Sequence, residues 1–572
     1  MAGSVNCVIH QSRLEINGRN SLITLTTRHL TWEPVSSGGL PDVGSSAVRH
    51  RQSQTLDLRD VIGVKSKECG HPGFSESFKY KNSIIKSGSS YSVELHPLHP
   101  VSFIVYGLKR LPSHCLGYDT YTFTCRDPTG CQSWIDAIKN VLELPDFKRP
   151  KRLLVFVNPF GGKKKGPKIY REKIAPLFEL ADIHTDIIVT QRAGHANEVI
   201  MNCDLHKLDG LICVGGDGMF SELMNGLLTR TMMDAGQHVP QGRDHIPIVP
   251  DLRIGIIPAG STDTVVYTTV GTNDPVTSAL HIILGDSIGI DICSIYHKDE
   301  FLRYSNSLLY GYYGDVLQDS EKNRWMGPKR YDWSGFKKVM GNKSYDGDVS
   351  FLLSPNSDSH PRDGVVCYSG CSVCGHHSPD MVSHGANGEG RQKPISASKD
   401  GWYNIRGRFI GINSFTMSCR CNLCPRGPSP SSHLGDGCTD LMLVQSCSRT
   451  NYIRHLYRCA TKSSDQFDFN FIKVYRVKEF SFKPLFDCDD GEEEAGAFSS
   501  RQYKLKSATA HNSVWNCDGE VINTPQLFVR VHCQLIKLFA RGIEQMGCQS
   551  EACTKCCVST SSDGDKNGFL EY

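Results

Sequence analysis

Residues 211–222 read LICVGGDGMFSE, and this stretch decides the fold of the middle of the chain. Its first four residues form the aliphatic run typical of a buried parallel strand, and helical character follows the glycines. The glycine-rich turn leaves Asp217 at the carboxyl edge of the sheet, where open α/β sheets bind ligands. A carboxylate there can take the proton of an attacking hydroxyl, so Asp217 is a candidate general base. For an isolated Asp-Gly pair, a capping role in a tight turn is the simpler alternative.

Two more glycine-rich turns follow buried strands. Residues 158–163 read NPFGGK after the aliphatic run 153–157, and residues 258–263 read PAGSTD after the run 253–257. Glycines let backbone amides approach phosphate oxygens, and small residues at a helix N-terminus suit the same ligand. The GxxxxGK[ST] pattern of a Walker A loop is absent, so each turn alone could be structural. Three such turns in sequence predict a nucleotide site.

The rest of the chain divides into regions with different patterns of apolar residues. Short alternating segments between residues 12 and 125, closed by a helix over 130–144 that carries Trp134, resemble a pleckstrin-homology (PH) domain. Strands alternate with helices from 146 to 286, which predicts an α/β lobe with a parallel sheet. Residues 287–545 are rich in strands and predict a second lobe. Residues 354–401 have little periodicity and are predicted as an irregular insert, and 546–572 as a flexible tail.

The bulk composition limits the function. The chain has 572 residues, 63 basic and 60 acidic, with a net charge of +3, too balanced for a general nucleic-acid binder. It has neither a long apolar run nor a signal-like N-terminus, which predicts a cytoplasmic protein without a transmembrane segment. Its 24 cysteines are therefore expected to be reduced.

The three turns, in this order and spacing, resemble the catalytic domain of the diacylglycerol, sphingosine and ceramide kinase superfamily. Later segments agree: GYYGD at 311–315, HLGDG at 433–437 and NCDGE at 516–520. The PH-like start and CYSGCSVC at 367–374 resemble the ceramide kinase branch. The resemblance implies a multidomain α+β protein: a PH-like domain, then a two-lobe lipid kinase with an α/β nucleotide lobe and a β-sandwich lobe.

The resemblance also implies roles for individual residues. The ATP-binding residues would be Asn158, Pro159, Phe160, Thr190, Gln191, Arg192, Ala193, Gly194, Glu222, Gly260, Ser261, Thr262, Arg324, Arg330, Asp518, Gly519 and Glu520. The substrate-binding residues would be Gly215, Gly216, Asp217, Gly218 and Asp315. Leu317 stands where the sphingosine kinase pattern has an acidic residue, which fits a substrate whose amide nitrogen carries no charge.

The activity implied is transfer of the ATP γ-phosphoryl group to the primary hydroxyl of ceramide, with Mg²⁺ and with Asp217 as base. The N-terminal domain would bind a membrane surface through anionic lipid or a phosphoinositide, with Lys65, Lys67, Lys79, Lys81 and Lys86 as its densest basic group. Golgi and plasma membranes are the compartments implied. The alternatives are a sphingosine or diacylglycerol kinase, the more distant NAD kinase, and a catalytically inactive lipid-binding adaptor.

Two further features suggest regulation or a metal. Cys367, Cys371 and Cys374, with Cys419 and Cys421 nearby in sequence, could hold a structural zinc ion, or they could be ordinary or reactive thiols. Residues 441–458 mix apolar and basic side chains, which resembles a calmodulin-binding helix and thus calcium regulation; a plain surface helix is the alternative. Three tail cysteines, Cys553, Cys556 and Cys557, are candidates for acylation.

Overall fold

A computed structural model of the chain describes residues 7–35, 53–67, 101–237, 242–327, 329–354, 360–376, 401–461, 465–485 and 512–545. The tail 546–572, most of the insert 354–401 and the lysines at 79, 81 and 86 lie outside these residues. In the part that is described, no helix is both long enough and apolar enough to cross a bilayer.

The N-terminal domain is a seven-stranded antiparallel sheet closed by one helix. Its strand order is β4-β3-β2-β1-β7-β6-β5. Asp127 caps the helix by accepting a hydrogen bond from the Gly130 amide at 2.7 Å, and Trp134 is buried with its indole N–H on the Ser12 hydroxyl. The elements are β1 (Val8–Ile16), β2 (Arg19–Thr26), β3 (His29–Pro34), β4 (Gln54–Asp57), β5 (Val61–Ser66), β6 (Ser102–Arg110), β7 (Leu116–Thr124) and α1 (Pro128–Leu142).

The nucleotide lobe is built on a parallel sheet with the order β9-β8-β10-β11. Strands β8, β10 and β11 are almost entirely apolar because helices cover both faces, whereas the edge strand β9 is half polar and largely unburied. The elements are β8 (Arg152–Val157), α2 (Gly166–Ile169), α3 (Ala175–Leu180), β9 (His184–Val189), α4 (His195–Asn202), β10 (Gly210–Gly215), α5 (Asp217–Asp234), β11 (Arg253–Pro258), α6 (Thr264–Val270) and α7 (Pro275–Leu284). A π-helical turn, Tyr170–Ile174, joins α2 to α3.

The second lobe is mainly antiparallel, with β15, β16, β17 and β18 paired around a core of buried aromatic and aliphatic residues. The elements are β12 (Ser287–His297), β13 (Glu300–Ser305), β14 (Ser307–Gly311), α8 (Tyr312–Glu321), α9 (Lys329–Gly341), β15 (Tyr345–Leu353), α10 (Ser372–His376), β16 (Trp402–Phe415), β17 (Thr439–Gln445), α11 (Arg449–Ala460), β18 (Ile472–Pro484), β19 (Trp515–Cys517), β20 (Glu520–Ile522) and β21 (Leu527–Phe539).

Strand β21 joins the two lobes into one continuous sheet. It pairs with β18 at one end, runs antiparallel to β12, and reaches β11 through the bridge between Ile254 and Leu538. The nucleotide lobe is therefore completed by a strand that lies more than 200 residues further along the chain. This fixes the orientation of the two lobes.

The N-terminal domain packs directly on the nucleotide lobe. Ile62, Tyr106 and Leu116 belong to the same buried cluster as residues of α3 and α7. The Arg149 guanidinium, in the connection between domains, donates hydrogen bonds to the carbonyls of Leu58 and Val61 at 3.1 and 2.5 Å. The two domains thus share a core.

The predicted fold class is confirmed in its parts: a PH-like sheet, an α/β lobe and a strand-rich lobe. Three sequence-based boundaries are wrong. The helix predicted over 130–144 is α1, which spans Pro128–Leu142. Residues 441–458 are not one helix, because 439–445 form strand β17 and α11 begins only at Arg449. The helix after the GGDG turn begins at Asp217, three residues before the apolar periodicity starts.

Candidate active site

The three glycine-rich turns meet at one edge of the parallel sheet. Strands β8, β10 and β11 are neighbours, with Val157 in register with Val214 and Gly215 with Pro258. Because parallel strands in register end together, the turns that follow them lie side by side. The sheet therefore brings NPFGG, GGDG and PAGSTD into one site.

The turns approach so closely that side chains would not fit between them. A Cβ atom on Gly260 would lie 2.6 Å from the Gly216 Cα, and one on Gly162, whose φ is +53°, would lie 2.6 Å from the Ala259 and Gly260 carbonyl oxygens. Glycine at these positions is thus required by backbone contact. The exposed backbone of the turns remains available to a ligand.

Asp217 occupies the first turn of α5 and faces the start of α6. Its two carboxylate oxygens each accept one backbone hydrogen bond at 3.0 Å, from Thr264 and Val265. Burial raises the pKa of Asp217, and these hydrogen bonds oppose the rise. Asp217 therefore accepts hydrogen bonds from the first amides of α6, as a capping residue does. These hydrogen bonds hold the carboxylate in one orientation at the edge of the sheet.

Asp263 is a second carboxylate at the same place. It is buried, has a left-handed backbone with φ of +54°, and accepts a hydrogen bond from the Gly260 amide at 2.9 Å. Burial, followed by the nearby charge of Asp217, raises its pKa to about 6. The sequence prediction did not assign it a role, although it ends the same PAGSTD motif. The sequence signal that could have identified it is an acidic residue three positions after Gly260, in a turn predicted to bind phosphate.

The residues predicted for ATP include several that organise the loops. The Asn158 side chain accepts from the Phe160 and Gly161 amides at 2.8 and 3.0 Å, which shapes the first turn. Glu222 accepts from the Ala196 and Asn197 amides at the start of α4. Next to it, an open cavity of about 490 Å³ is lined by Gln191, Arg192, His195, Glu198, Val199, Asn202 and Cys203. Thr190 itself is buried at the end of β9.

Asp518 is buried beneath this edge and acts within the protein. It accepts hydrogen bonds from the Ser307 amide at 2.9 Å and from the Asn306 amide at 3.1 Å, which joins the β19–β20 turn to β14. Glu520, more than half exposed, pairs with Arg303, whose guanidinium also donates to the Ser221 hydroxyl of α5. Arg303 had no sequence signal, because it lies in strand β13 outside every motif.

Asp315 is buried in α8, and both its oxygens have protein partners. Tyr345 and Ser513 donate hydroxyl hydrogen bonds to it at 2.5 and 2.7 Å. Leu317 is also buried, so no carboxylate replaces the acid that the sphingosine kinase pattern has there. A cavity of about 290 Å³ lies alongside, lined by Tyr312, Asp315, Asp319, Lys337, Lys338, Gly341, Asn342, Lys343, Ile410 and Tyr452.

Arg324 and Arg330 lie together beside α8. Both pair with Glu321, Arg324 through a hydrogen bond of 2.6 Å and Arg330 at 3.2 Å. Arg324 is largely exposed, whereas Arg330 is mostly covered and stacks on Tyr331. Both arginines are therefore seen to pair with Glu321, and neither is seen to contact the glycine-rich turns among the described residues.

Only part of the predicted cysteine set comes together. Cys367, Cys371 and Cys374 converge with His433, and their four ligand atoms lie within 4.8 Å of one another. Cys419 and Cys421 do not belong to this group. Cys421 pairs by backbone with Cys424 in a separate tight turn, and Cys419 is buried. His433 was quoted in the HLGDG motif but not assigned as a ligand.

Comparison with known families covers most of the chain. Residues 10–138 match the Ceramide kinase PH domain, 152–295 the Diacylglycerol kinase catalytic domain, and 306–558 the Ceramide kinase C-terminal domain. Ceramide kinase of Homo sapiens is 47% identical over 460 residues, which cover 78% of this chain and 84% of that protein. The chain belongs to the ceramide kinase family. The family resemblance and the ATP-dependent lipid kinase class predicted from the motifs are confirmed.

More distant ceramide kinases support the same assignment. The Mus musculus protein is 45% identical with 78% of this chain and 85% of that protein covered, and the Arabidopsis thaliana protein is 33% identical with 77% and 81% covered. A putative diacylglycerol kinase structure from Bacillus anthracis str. Sterne has a TM-score of 0.42 at 15% identity, covering 68% of this chain and 97% of that one. That likeness is too weak to bear on function.

Proposed function

We propose that this ceramide kinase family member transfers the γ-phosphoryl group of ATP to the primary hydroxyl of ceramide, giving ceramide 1-phosphate. The observation that carries the proposal is the meeting of three glycine-rich turns around Asp217 at one sheet edge. Membership of the ceramide kinase family supports ceramide as the acceptor.

The nucleotide phosphates would lie against the turns after β8 and β11. Backbone amides in these turns can donate to phosphate oxygens without side-chain interference, since glycines form the points of closest approach. The loop 190–194 and the cavity beside it would take the adenosine part. Glu222 would act indirectly, because its carboxylate already caps α4.

The acidic pair fits a divalent cation bound with the nucleotide. Asp263 is buried and Asp217 is half-buried, and the two carboxylates lie close enough for the charge of Asp217 to raise the pKa of Asp263. Carboxylate and phosphate oxygens are the ligands that Mg²⁺ prefers, and Asp263 is the residue we assign to it. Bound Mg²⁺ would neutralise charge on the phosphates during transfer.

Asp217 would accept the proton of the ceramide hydroxyl as that oxygen attacks phosphorus. Its raised pKa makes it a stronger base than an ordinary aspartate, and its two backbone hydrogen bonds fix the direction of its oxygens. Positioning of the two substrates by the turns would contribute most of the remaining acceleration.

The lipid would approach from the side of α8 and α9. The cavity beside Asp315 is lined by aromatic, aliphatic, lysine and acidic side chains, and α9, which contributes to this lining, exposes Trp333 and Phe336, 52% and 62% accessible. Because Asp315 is already paired with Tyr345 and Ser513, it would shape this cavity rather than bind the headgroup alone. Buried Leu317 fits an acceptor with an uncharged amide.

We also propose that the protein works at the cytoplasmic face of membranes, with the PH domain as its peripheral anchor on anionic lipid or a phosphoinositide; Golgi and plasma membranes follow from the family resemblance. Of the basic group named for this, Lys65 instead pairs with Asp182 of the nucleotide lobe. Lys67 is the other lysine of this group within the residues that the structure describes, so it is our candidate for contact with anionic lipid.

Calmodulin binding remains a sequence hypothesis that the packing of α11 disfavours. Tyr452, His455 and Cys459 form its buried face, so this face is not free for a partner unless the helix leaves the core. We propose that α11 is a structural helix. Calcium-dependent retention of the folded protein on immobilised calmodulin would contradict this.

The test is a radiolabelled ATP assay with ceramide, diacylglycerol and sphingosine presented separately in the same mixed micelles. We expect phosphorylated ceramide as the dominant product, and labelling of ceramide slower by a factor of about 10² to 10⁴ from Asp217→Asn protein prepared in parallel. Faster labelling of either other lipid would overturn the acceptor. Lipid binding without labelling of any lipid would favour the inactive adaptor.

A further inference from the structure

The cluster formed by Cys367, Cys371, Cys374 and His433 shares no residue with the three turns and takes no part in the proposed reaction. The cysteines come from the loop before α10 and from α10 itself, and His433 comes from the segment before β17. Residues separated by about 60 positions thus aim sulfur and nitrogen atoms at one point.

The distances match a tetrahedral metal site. With zinc bonds of about 2.3 Å to sulfur and 2.0–2.1 Å to nitrogen, tetrahedral geometry places sulfur atoms about 3.8 Å apart and sulfur about 3.5 Å from nitrogen. The Sγ atoms of Cys367 and Cys374 are 3.7 Å apart, and Sγ of Cys371 is 3.3 Å from Nδ1 of His433. The sulfur–sulfur separation of 3.7 Å is too long for a disulfide.

The histidine has the environment of a ligand rather than of a surface side chain. His433 is 1% exposed, and its Nε2 has no hydrogen-bond partner among the residues that the structure describes. Its Nδ1 faces the thiol of Cys371. Asp436, three residues later in the same segment, is also buried.

We infer that Cys367, Cys371, Cys374 and His433 bind one zinc ion in a closed, structural Cys₃His site. Three sulfurs and one imidazole nitrogen in a tetrahedron are typical of structural zinc, and a complete set of four protein ligands leaves no open position for chemistry. The inference does not depend on the phosphoryl acceptor.

The site would secure the segments that hold the lobes together. The Ser369 amide donates to the Ile543 carbonyl at 3.0 Å, and the Gln534 side chain of β21 donates to the carbonyls of Cys374 and Gly435 at 3.0 and 3.1 Å. Ion pairs of Glu544 with Arg110 then reach the N-terminal domain. Loss of the metal should therefore loosen β21, the strand shared by both lobes.

The experiment measures zinc in full-length protein purified without chelators from zinc-supplemented cells. We expect about one zinc per chain in the wild type, and a loss of most of it in Cys371→Ser and in His433→Gln. Cys421→Ser and Cys447→Ser are matched controls outside the cluster and should keep their zinc. His433→Cys should also keep it, because it supplies a fourth sulfur.

A second measurement protects against variants that fail to fold. Cobalt-substituted wild type should show thiolate-to-metal charge transfer and tetrahedral d–d bands, and His433→Cys should shift them. Removal of zinc from the wild type by thiol modification should lower its unfolding temperature. Wild-type protein that neither contains zinc nor takes up cobalt would overturn the zinc site. Normal zinc content in His433→Gln together with loss of zinc in Cys421→Ser would overturn His433 as the fourth ligand.

Discussion

At the residue scale, Asp217 combines two roles that a conservative substitution can separate. We expect Asp217→Asn to fold and to bind ATP, because asparagine keeps the shape and retains one of the two acceptors for the Thr264 and Val265 amides. The lost hydrogen bond should cost about 1 kcal/mol of stability, and removal of a carboxylate whose pKa is raised by burial should offset part of that cost at neutral pH. Its kcat should fall by about 10² to 10⁴, the usual contribution of a positioned general base.

The measurement is kcat and KM for ATP at saturating ceramide, with thermal unfolding of both proteins. Normal turnover in Asp217→Asn would mean that the carboxylate serves only as the cap of α6, and Asp263 would be the next residue to test. A raised KM with unchanged kcat would assign Asp217 to nucleotide binding instead.

Asp263 gives a pH-dependent prediction. Its pKa of about 6 in the folded protein is above the ordinary value of 3.8, so the folded state holds this proton more tightly than the unfolded state does. The free energy of unfolding should therefore fall as the pH rises from about 4 to about 6 and remain lowered above that. Asp263→Asn should remove this loss, and it should be more stable than wild type at pH 7.5 by at most about 3 kcal/mol.

Asparagine suits the position, because it tolerates the left-handed backbone of residue 263 better than most residues. Urea unfolding at pH 4.5 and 7.5 tests the prediction, with Asp251→Asn in an exposed loop as the matched control. If bound Mg²⁺ and ATP use this carboxylate, they should stabilise wild type at pH 7.5 more than they stabilise the variant. An equal pH dependence in all three proteins would refute the shifted pKa.

The meeting of the three turns at one sheet edge, where we propose the site, could be predicted from short motifs in the sequence. Asp217 and the glycines were predictable because a strand, a turn and a helix are adjacent in the chain. Arg303 and the tyrosine and serine that hold Asp315 were not, since they reach the site through strand pairing. His433 was quoted in a motif, but its partners lie about 60 residues earlier.

At the element scale, the contact between the turns after β10 and β11 gives a matched pair of glycine variants. In Gly216→Ala the new methyl group would meet the Gly260 Cα at 3.0 Å, a backbone atom that cannot rotate away, whereas a methyl group on Gly218 would have open space. We expect Gly216→Ala to lower the unfolding temperature and to weaken ATP binding severalfold. Gly218→Ala lies in helix α5 and should unfold no earlier than wild type.

Thermal unfolding and equilibrium ATP binding of the two variants decide this prediction. Equal behaviour of both would show that the turns have room to separate. Lower stability of Gly216→Ala with normal ATP binding would mean that the contact supports the fold without shaping the nucleotide site.

Elements with regular periodicity were predicted well, and elements decided by distant partners were not. Strand β16, Trp402–Phe415, lies in the region predicted to be rich in strands, and exposed polar residues alternate with more covered ones through its first half. Residues 441–445 carry the same leucines that favour a helix, but they lie between β16 and β18 and pair with both as β17. Neighbouring strands therefore outweigh local propensity there.

At the scale of the whole molecule, β21 and the N-terminal domain make the lobes interdependent. The sequence predicts domains at 1–145, 146–286 and 287–545, and these limits stay a prediction. The packing adds what sequence could not provide: residues 527–539 complete the sheet of the middle unit, and residues 58–62 contact the segment that follows α1. Contacts of this range leave no local pattern.

The shared core changes what deletion of residues 1–145 should do. We expect the truncated protein to bind anionic liposomes less than full-length protein does, because it loses the proposed anchor. It should also unfold at a lower temperature, because α3 and α7 lose their contacts with Ile62, Tyr106 and Leu116 and expose apolar surface. Liposome flotation and thermal unfolding of the same preparations measure the two effects.

A point variant separates anchoring from support. Arg149→Ala leaves the N-terminal domain in place but removes the guanidinium that donates to the carbonyls of Leu58 and Val61. The Leu58 carbonyl would keep only the Val61 amide as a partner. Hydrogen bonds from a charged group contribute about 1.5–3 kcal/mol, so this variant should unfold earlier than wild type while floating equally well with liposomes at low temperature. Truncated protein that floats like the full chain would exclude the anchor. If the truncated protein unfolds at the same temperature as the full chain, the shared core is excluded. Exposing the apolar faces of α3 and α7 would then not lower the free energy of unfolding.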